Sequence, residues 1–236
     1  MKPAINLGAY GWRYEHWSKS FYPDDLPVDG DEDWRLAYYS NEFNAVLVPV
    51  DYWQAVSINS CEDWLDSVHS DFQFFVECDG EMFDRVSWAE LSRCLEMLSP
   101  QLSALVFLDD EQLIPGEVKR QFVMLADSLG IEVFGLQSGS AASSPVKKIW
   151  RANGESGRED SGAQPAILQE LSKPSNFAFI EDELSDLRLV RAMVEQFVLT
   201  IGDEVNSGEA TIIVNHPQLQ GGNLGKFRSM LDIMGY

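Results

Sequence analysis

Hydrophobic and polar positions alternate between two patterns along this chain. Short continuous runs of β-branched and aromatic residues recur between longer segments in which apolar residues return every three or four positions. Continuous apolar runs are typical of parallel strands buried on both faces, whereas the longer period is typical of amphipathic helices. The runs predict strands over Ile5–Gly8, Ala45–Val50, Phe72–Cys78, Ala104–Leu108, Ile131–Leu136, Val146–Arg151, Phe177–Ile180 and Ala210–Val214.

Helices are predicted between or after these strands. Apolar residues at helical spacing predict the first helix over about Asp33–Phe43. Ser60 and Ser87 are each followed three residues later by an acidic residue, a pattern typical of a helix N-terminal cap. Pro115 in a first turn and Gly130 at a C-cap bound a fourth helix. The last three helices are predicted over Pro165–Leu171, Leu187–Ile201 and Leu224–Met234.

This alternation predicts an α/β fold, a TIM (β/α)8 barrel that occupies residues 1–236 as a single domain. The connection Ser138–Pro145 is too short and too rich in Ser and Ala for a helix, so one outer helix is expected to be missing after strand five. An open doubly wound sheet is the alternative, but its phosphate-binding glycine fingerprint does not follow the first strand. The glycines of Asn153–Gln164 do not supply it either, and that segment is predicted to be a loop.

The formal net charge of −21 argues against partners that are themselves negatively charged. Nucleic acids and anionic membranes are bound through Lys and Arg, so an acidic surface argues against both, although acidity can also serve solubility alone. No apolar run approaches the ~18 residues of a membrane span, and the N-terminus is too polar for a signal peptide. Three cysteines without metal-ligand spacing argue against a disulfide framework, so a cytoplasmic protein is expected. Its oligomeric state and any cofactor are left undetermined.

The segment Gly8–Pro23 carries the most specific signal in the chain. It combines a glycine-flanked turn after the first strand with closely spaced aromatic residues. This segment resembles the YecE-like family (domain of unknown function 72), a group of uncharacterised barrel proteins, and the resemblance implies the TIM-barrel fold. The matching positions are Gly8, Gly11, Trp12, Trp17, Phe21, Tyr22, Pro23, Tyr38, Tyr39, Phe43 and Asn44, with a thinner likeness later at Phe72, Phe74, Phe177–Ile180, Val214, Asn215 and Asn223.

The chain departs from the family pattern at the charged residues of the strands. On the second strand the family usually has Glu and Asn, and this chain has Leu47 and Pro49. On the third strand Glu77 stands in place of a Lys, and on the fifth strand Gly135 and Gln137 stand in place of Glu and Arg. On the seventh strand Glu181 stands in place of an Arg. The resemblance therefore implies that a cationic, anion-receiving mouth has been neutralised or reversed in sign here. Pro49 is also expected to remove a hydrogen-bond donor from inside the second strand.

Candidate site residues follow from barrel geometry, since the carboxyl ends of the strands converge on one mouth. Planar rings there suit sugars, bases or aromatic ligands, although Trp17 and its neighbours could instead plug the barrel end. His216 is placed to act as an acid or base. The catalytic candidates are His216, Glu77 and Glu181, and the ligand-binding candidates are Trp12, Arg13, Tyr14, Trp17, Asp51, Tyr52 and Asn215.

Three functions remain open on this sequence. The first is a small-ligand-binding barrel whose family site residues have been replaced. The second is a divalent-metal hydrolase or isomerase, since carboxylates with a histidine are ligands that Mg, Mn or Zn would use, although acidic loops facing water explain the same residues. Its ligands would be Asp51, Glu77, Asp109, Glu181 and His216. The third is a non-enzymatic module whose acidic surface binds a basic partner.

Overall fold

A computed structural model describes residues 2–18, 20–23, 33–54, 56–80, 82, 86–108, 114–135, 146–153, 166–167, 175–201 and 208–236. The chain divides into two compact units. The terminal unit consists of Met1–Gly30 and Ile149–Tyr236, and the central unit consists of Asp31–Lys148. No helix in the described part of the chain has both the length and the hydropathy that a membrane crossing requires.

Strands and helices alternate along the chain. The terminal unit contains β1 (Ala4–Tyr10), a 3₁₀ helix (Glu15–Trp17), β7 (Trp150–Asn153), β8 (Ala166–Ile167), β9 (Phe177–Glu181), α5 (Leu187–Thr200), β10 (Glu209–Val214) and α6 (Gly221–Met234). The central unit contains α1 (Asp33–Glu42), β2 (Ala45–Val48), a 3₁₀ helix (Val50–Gln54), α2 (Ile58–Ser67), β3 (Gln73–Glu77), α3 (Trp88–Leu98), β4 (Leu102–Phe107), α4 (Gly116–Leu129), β5 (Glu132–Gly135) and β6 (Lys147–Lys148).

The sheet of the terminal unit has the strand order β1-β10-β9-β7-β8. Its strands run parallel except for β8, which pairs antiparallel with β7. One face packs on α5: the ring centroids of Trp150 on β7 and Phe197 on α5 are 5.5 Å apart. Side chains alternate along a strand, so Ala152 shares this helix-facing side and Arg151 lies on the other. We call that other side the distal face.

The central unit repeats this arrangement with the order β2-β3-β4-β5-β6, all parallel. Trp64 of α2 stacks on Phe74, and Phe122 of α4 contacts Phe107 edge-on. Both strand residues are fully buried, and burying an aromatic side chain of this size stabilises a fold by about 1.5–3 kcal/mol. Alternation then places Glu77 on the face away from these helices, at the carboxyl end of β3.

The predicted α/β TIM-barrel-like fold class is confirmed. Apart from Val146–Arg151, the predicted strands are all found, with small shifts at their ends. Ser87 caps α3 as expected, since its Oγ accepts a hydrogen bond from the Glu90 backbone N–H at 3.3 Å. Gly130 ends α4 with φ = +69°, a conformation that glycine adopts without strain. The single domain over residues 1–236 stays a prediction.

Two predicted elements are wrong. The single strand Val146–Arg151 is two strands, because β6 pairs with β5 in the central unit whereas β7 pairs with β9 in the terminal unit. The helix Pro165–Leu171 is contradicted by β8, whose Ala166 and Ile167 pair with β7. Backbone pairing across a sheet has therefore overridden local helix propensity at that point.

Two local predictions also need correction. Ser57, rather than Ser60, caps α2: Ser57 Oγ accepts the Ser60 backbone N–H at 3.2 Å, and Ser60 Oγ accepts the Ser57 backbone N–H at 3.2 Å. Pro49 follows the end of β2 instead of interrupting it, so it removes no hydrogen bond from the strand. The predicted loop within 154–164 and the predicted missing helix over 138–145 lie outside the described residues.

Candidate functional site

An ion pair occupies the distal face at the carboxyl end of the terminal unit's sheet. Arg151 Nη2 on β7 donates to Glu181 Oε2 on β9 at 2.6 Å. The register pairs Arg151 with Phe179 and Asn153 with Glu181, so the ion pair runs diagonally between neighbouring strands. The side chains are 20% and 31% exposed, which leaves both partly within reach of water.

Asn215 extends this pair by one strand. Its backbone N–H donates to the Ile180 carbonyl at 2.9 Å, so the parallel ladder between β10 and β9 continues one residue past Val214. This register puts Asn215 on the distal face, level with Glu181, and neighbouring strands lie about 4.8 Å apart. We call Arg151, Glu181 and Asn215 the polar row.

The polar row has unused hydrogen-bonding capacity within the described part of the chain. Arg151 carries five N–H donors, and its contact with Glu181 is the one side-chain hydrogen bond that either residue makes to a described residue. Arg151 Nε is buried and has no acceptor among those residues. Asn215 likewise makes no side-chain hydrogen bond there, although its amide offers both donors and an acceptor. The row can therefore donate to, and accept from, a further molecule.

Aromatic rings border the polar row on the same face. The Arg151 guanidinium lies 5.5 Å from the centre of the Phe179 ring, within cation–π range. Tyr10 meets Phe179 edge-on, with ring centroids 6.3 Å apart. The row therefore lies beside Tyr10, the last residue of β1, and beside the buried ring of Phe179 in the middle of β9.

The turn that follows Glu181 is strained and firmly held. Leu184 is buried at φ = +60°, where a non-glycine residue costs about 1–3 kcal/mol. The carboxylate of Asp182 accepts the Leu184 N–H at 2.6 Å, and Asn223 donates to the Glu183 carbonyl at 3.2 Å. Buried strain of this kind is concentrated at functional sites. This turn is a feature that strand periodicity gave no signal for.

The aromatic segment after β1 packs against the start of α6. Trp17 Nε1 and His16 Nε2 both lie 2.6 Å from the Leu219 carbonyl oxygen. A Cβ on Gly221 would fall 2.5 Å from the Phe21 ring, so only glycine permits this approach. Trp17 is completely buried beneath Tyr14, whose ring stacks on it at 4.4 Å. These contacts make Trp17 a buried packing residue.

Trp12 and Arg13 lie at the turn between β1 and this segment. Trp12 is 1% exposed, and its carbonyl accepts the Tyr22 hydroxyl at 2.6 Å. The Arg13 guanidinium lies 5.4 Å from the Trp12 ring. Of the aromatic residues expected to face a ligand, Trp12 and Trp17 are both buried in packing.

His216 follows Asn215 in a tight turn. Its Nδ1 accepts the Gln218 backbone N–H at 3.1 Å, and its carbonyl accepts that of Leu219. An Nδ1 that accepts requires the neutral ring to carry its proton on Nε2. His216 is half-buried and directly follows Asn215 in the chain, and its role as an acid or base stays a prediction.

The central unit holds the other predicted site residues. Glu77 Oε2 accepts the Val50 backbone N–H at 3.0 Å, which ties the turn after β2 to the end of β3. Asp51 and Tyr52 lie in the 3₁₀ helix that starts at Val50, where Asp51 is exposed and Tyr52 is half-buried. Burial raises the pKa of the neighbouring Cys78 thiol well above its usual value, and Glu77 adds to the shift.

The predicted carboxylate ligands are not arranged around an ion in the described residues. No group of three or more His, Cys, Asp or Glu side chains there could hold a metal. Glu181 is bonded to Arg151, Glu77 is bonded to a backbone N–H, and Asp51 is exposed. Asp109, the remaining acidic candidate, lies outside the described residues.

Comparison with known proteins supports the family resemblance. Residues 6–108 match the model of DUF72, a protein family of unknown function. A DUF72 protein of Thermotoga maritima has a similar structure, with a TM-score of 0.60 and 12% identity over 97% of this chain and 99% of that one. A DUF72 protein of Enterococcus faecalis gives 0.56 and 10% over 99% and 98%. The predicted resemblance is confirmed.

The fold is shared more widely than the family. A D-psicose 3-epimerase solved in the presence of D-fructose superposes with a TM-score of 0.50 and 10% identity, over 97% of both chains. Identities this low establish a common fold and leave the chemistry to be argued from this chain's own residues. No curated protein sequence matches the chain.

Proposed function

With residues 6–108 assigned to the DUF72 family, whose function is unknown, we propose that this protein binds a small polar ligand at the polar row of the terminal unit. Arg151, Glu181 and Asn215 contact the ligand, and the rings of Phe179 and Tyr10 border it. The family itself assigns no activity, so the proposal depends on side chains described in this chain. The role is binding, and no reaction is assigned to it.

The unused hydrogen-bonding capacity of the row is the observation that carries this proposal. A buried N–H without an acceptor costs about 1–3 kcal/mol, so such groups are rare in folded proteins and call for an explanation. Arg151 Nε is such a group among the described residues, and it belongs to the side chain that bonds Glu181, whose carboxylate has capacity left. A bound polar molecule would satisfy several of these groups at once.

The position of the row in the fold supports the same proposal. In parallel α/β folds, ligands bind at the carboxyl ends of the strands, because the loops that vary between proteins lie there. Glu181 and Asn215 lie at that end of adjacent strands, and Arg151, which is level with Phe179 on the next strand, reaches Glu181. The strained turn at Leu184 fixes the path of the chain directly after Glu181.

The other predicted site residues keep different places in this proposal. His216 adjoins Asn215 and is the group available to exchange a proton with a bound ligand. Trp17 is buried in the segment after β1, and the ring of Tyr14 stacks on it. Roles in ligand binding for Glu77, Asp51 and Tyr52, which belong to the central unit, stay predictions.

A ligand screen tests the proposal. Thermal unfolding would be followed against a library of sugars, amino acids, organic acids and nucleobases, because a ligand that binds the native state raises its melting temperature. Each hit would be repeated on Asn215→Ala, which removes an amide with no other side-chain bond in the described residues. The matched control is Arg191→Gln, which breaks an exposed ion pair with Glu195 on α5.

Loss of the hits in Asn215→Ala but not in Arg191→Gln is the expected result. The proposal fails if no compound of the library raises the melting temperature. It also fails if the hits bind Asn215→Ala as well as they bind the unaltered protein.

A further inference from the structure

We infer that the ligand carries an amino-carboxylate group, as in a free α-amino acid, with its carboxylate on Arg151 and its ammonium on Glu181. The inference rests on the proposed function and names the chemical class of the ligand. It follows from the paired charges of the row, the charge of the whole protein and the burial of the site.

The paired charges come first. Arg151 and Glu181 place a cation and an anion side by side, with Nη2 and Oε2 2.6 Å apart. A ligand with only a carboxylate would gain from Arg151 and be repelled by Glu181, and a ligand with only an amine would meet the reverse. An α-amino acid carries both charges on adjacent carbon atoms, so it can lie antiparallel to the pair and be attracted at both ends.

The charge of the whole protein argues against a purely anionic ligand. At −21, the protein repels anions that approach its surface, and this effect acts over about 8–10 Å at ordinary salt. A zwitterion has no net charge and is not repelled in this way. A single arginine paired with its own glutamate would otherwise be a weak receptor for an anion.

Burial and the neighbouring groups complete the match. The Arg151 and Glu181 side chains are 80% and 69% buried, being 20% and 31% exposed, so charge-assisted hydrogen bonds made there are screened less than at the surface. Asn215 lies on the side of Glu181 away from Arg151, so its amide oxygen can accept from the ligand ammonium. Tyr10, which is half-buried, provides apolar surface for the side chain of an amino acid.

Calorimetry with matched compounds tests the class. Each of the twenty common amino acids would be screened by thermal shift on the full chain, and the best binder would be compared with its amine and its acid analogue, which lack the carboxylate and the amino group. We expect the amino acid to bind at least about tenfold more tightly than either analogue, because each analogue leaves one charge of the row without its partner.

Two variants assign the charges to residues. Glu181→Gln should weaken binding of the amino acid at least about tenfold, while binding of the acid analogue stays the same or becomes tighter. Arg151→Gln should also weaken binding of the amino acid at least about tenfold, while binding of the amine analogue stays the same or becomes tighter. Glu195→Gln on α5 is the surface control and should change neither affinity. Circular dichroism of each variant would show that it is folded, so that lost binding is not lost structure.

The outcomes separate the inference from the proposed function. If a sugar or nucleobase binds in an Asn215-dependent way while all twenty amino acids fail, the inference is overturned and the proposed function stands. Equal affinity for the amino acid and one of its analogues would overturn the inference as well. If nothing binds at the row, both are overturned.

Discussion

Glu77 of the central unit and Glu181 of the terminal unit are each the last residue of a parallel strand, but their surroundings differ. Glu77 at the end of β3 accepts a backbone N–H from Val50, so its carboxylate closes the turn that follows β2. The carboxylate of Glu181 at the end of β9 makes its one hydrogen bond within the described residues to a side chain, Arg151, and both partners retain unused hydrogen-bonding groups. The first contact holds the chain together, whereas the second leaves capacity for another molecule.

The comparison shows why residue type at a strand end does not reveal its role. Each glutamate ends an apolar strand, and the sequence predicts a catalytic role for both. The difference lies in which group approaches the carboxylate, and that depends on the path of the following turn. At Glu181 this path is fixed by the buried Asp182 and the strained Leu184.

The largest expected effect comes from removing the support beneath the terminal unit's strand ends. Trp17→Ala should lower the free energy of unfolding by about 3–5 kcal/mol, because a fully buried ring and its hydrogen bond to Leu219 are lost. Urea denaturation would measure the loss. Leu199→Ala, at a residue 78% exposed on α5, is the control and should change little. A loss below about 1 kcal/mol in Trp17→Ala would show that the segment is not a structural support.

The contact of Glu77 should contribute less than Trp17 but still measurably. Glu77→Ala leaves the part-buried Val50 N–H without its carboxylate acceptor, at a cost of about 1–3 kcal/mol. Glu77→Gln keeps a side-chain oxygen in reach of the same N–H and should recover most of the stability. Urea denaturation of both variants would compare them. Equal losses in the two would mean that the charge of Glu77, rather than its hydrogen bond, stabilises the turn.

Much of the fold could be predicted from the sequence, because it depends on local signals. Runs such as Val46–Val48 are apolar on both faces, and this fixes them as buried parallel strands. Ser87 and Gly130 mark helix ends through hydrogen bonds and backbone conformation that involve only their neighbours. The errors at Val146–Arg151 and Pro165–Leu171 arose where the pairing partner, which lies far away in the chain, decided the structure.

The candidate site could be predicted only in part. Glu181 and Asn215 were found because they follow apolar strands directly. The predicted barrel places the strand of Arg151 next to that of Glu181, but which acidic residue Arg151 bonds depends on the register of β7 and β9, and residue spacing does not show that register. The sequence predicts that Trp12 and Trp17 face a ligand, but both rings are buried. An aromatic residue after a strand carries no signal in the sequence that distinguishes an exposed ring from a buried one.

Cys78 gives a pH-dependent test of the packing next to Glu77. Burial, with Glu77 and Asp79 adding to it, raises the pKa of this thiol well above its ordinary value of 9.0. Above pH 9.0 the unfolded chain loses the thiol proton that the folded chain keeps, so stability should fall as the pH rises. The slope contributed by one such group is at most about 1.4 kcal/mol per pH unit.

Urea denaturation between pH 8 and 10 would measure this slope, and Cys78→Ala is the reference for all other titrating groups. The difference in free energy of unfolding between the two proteins should be constant near pH 8. Toward pH 10 the unaltered protein should lose stability relative to Cys78→Ala. A difference that does not vary with pH would show that the thiol titrates normally and that the carboxyl end of β3 is open to water.

The smallest effect on stability should come from Glu181→Gln, and this sharpens the contrast with Glu77. Partly exposed ion pairs stabilise by about 1 kcal/mol or less, because water screens them and the separated groups can be solvated. The Gln amide oxygen can still accept from Arg151, so the free energy of unfolding should change less than in Glu77→Ala. Urea denaturation of the two variants side by side would measure both. If Glu181→Gln proves the more destabilising, Glu181 is a structural residue like Glu77, and the polar row loses its claim to be a binding site.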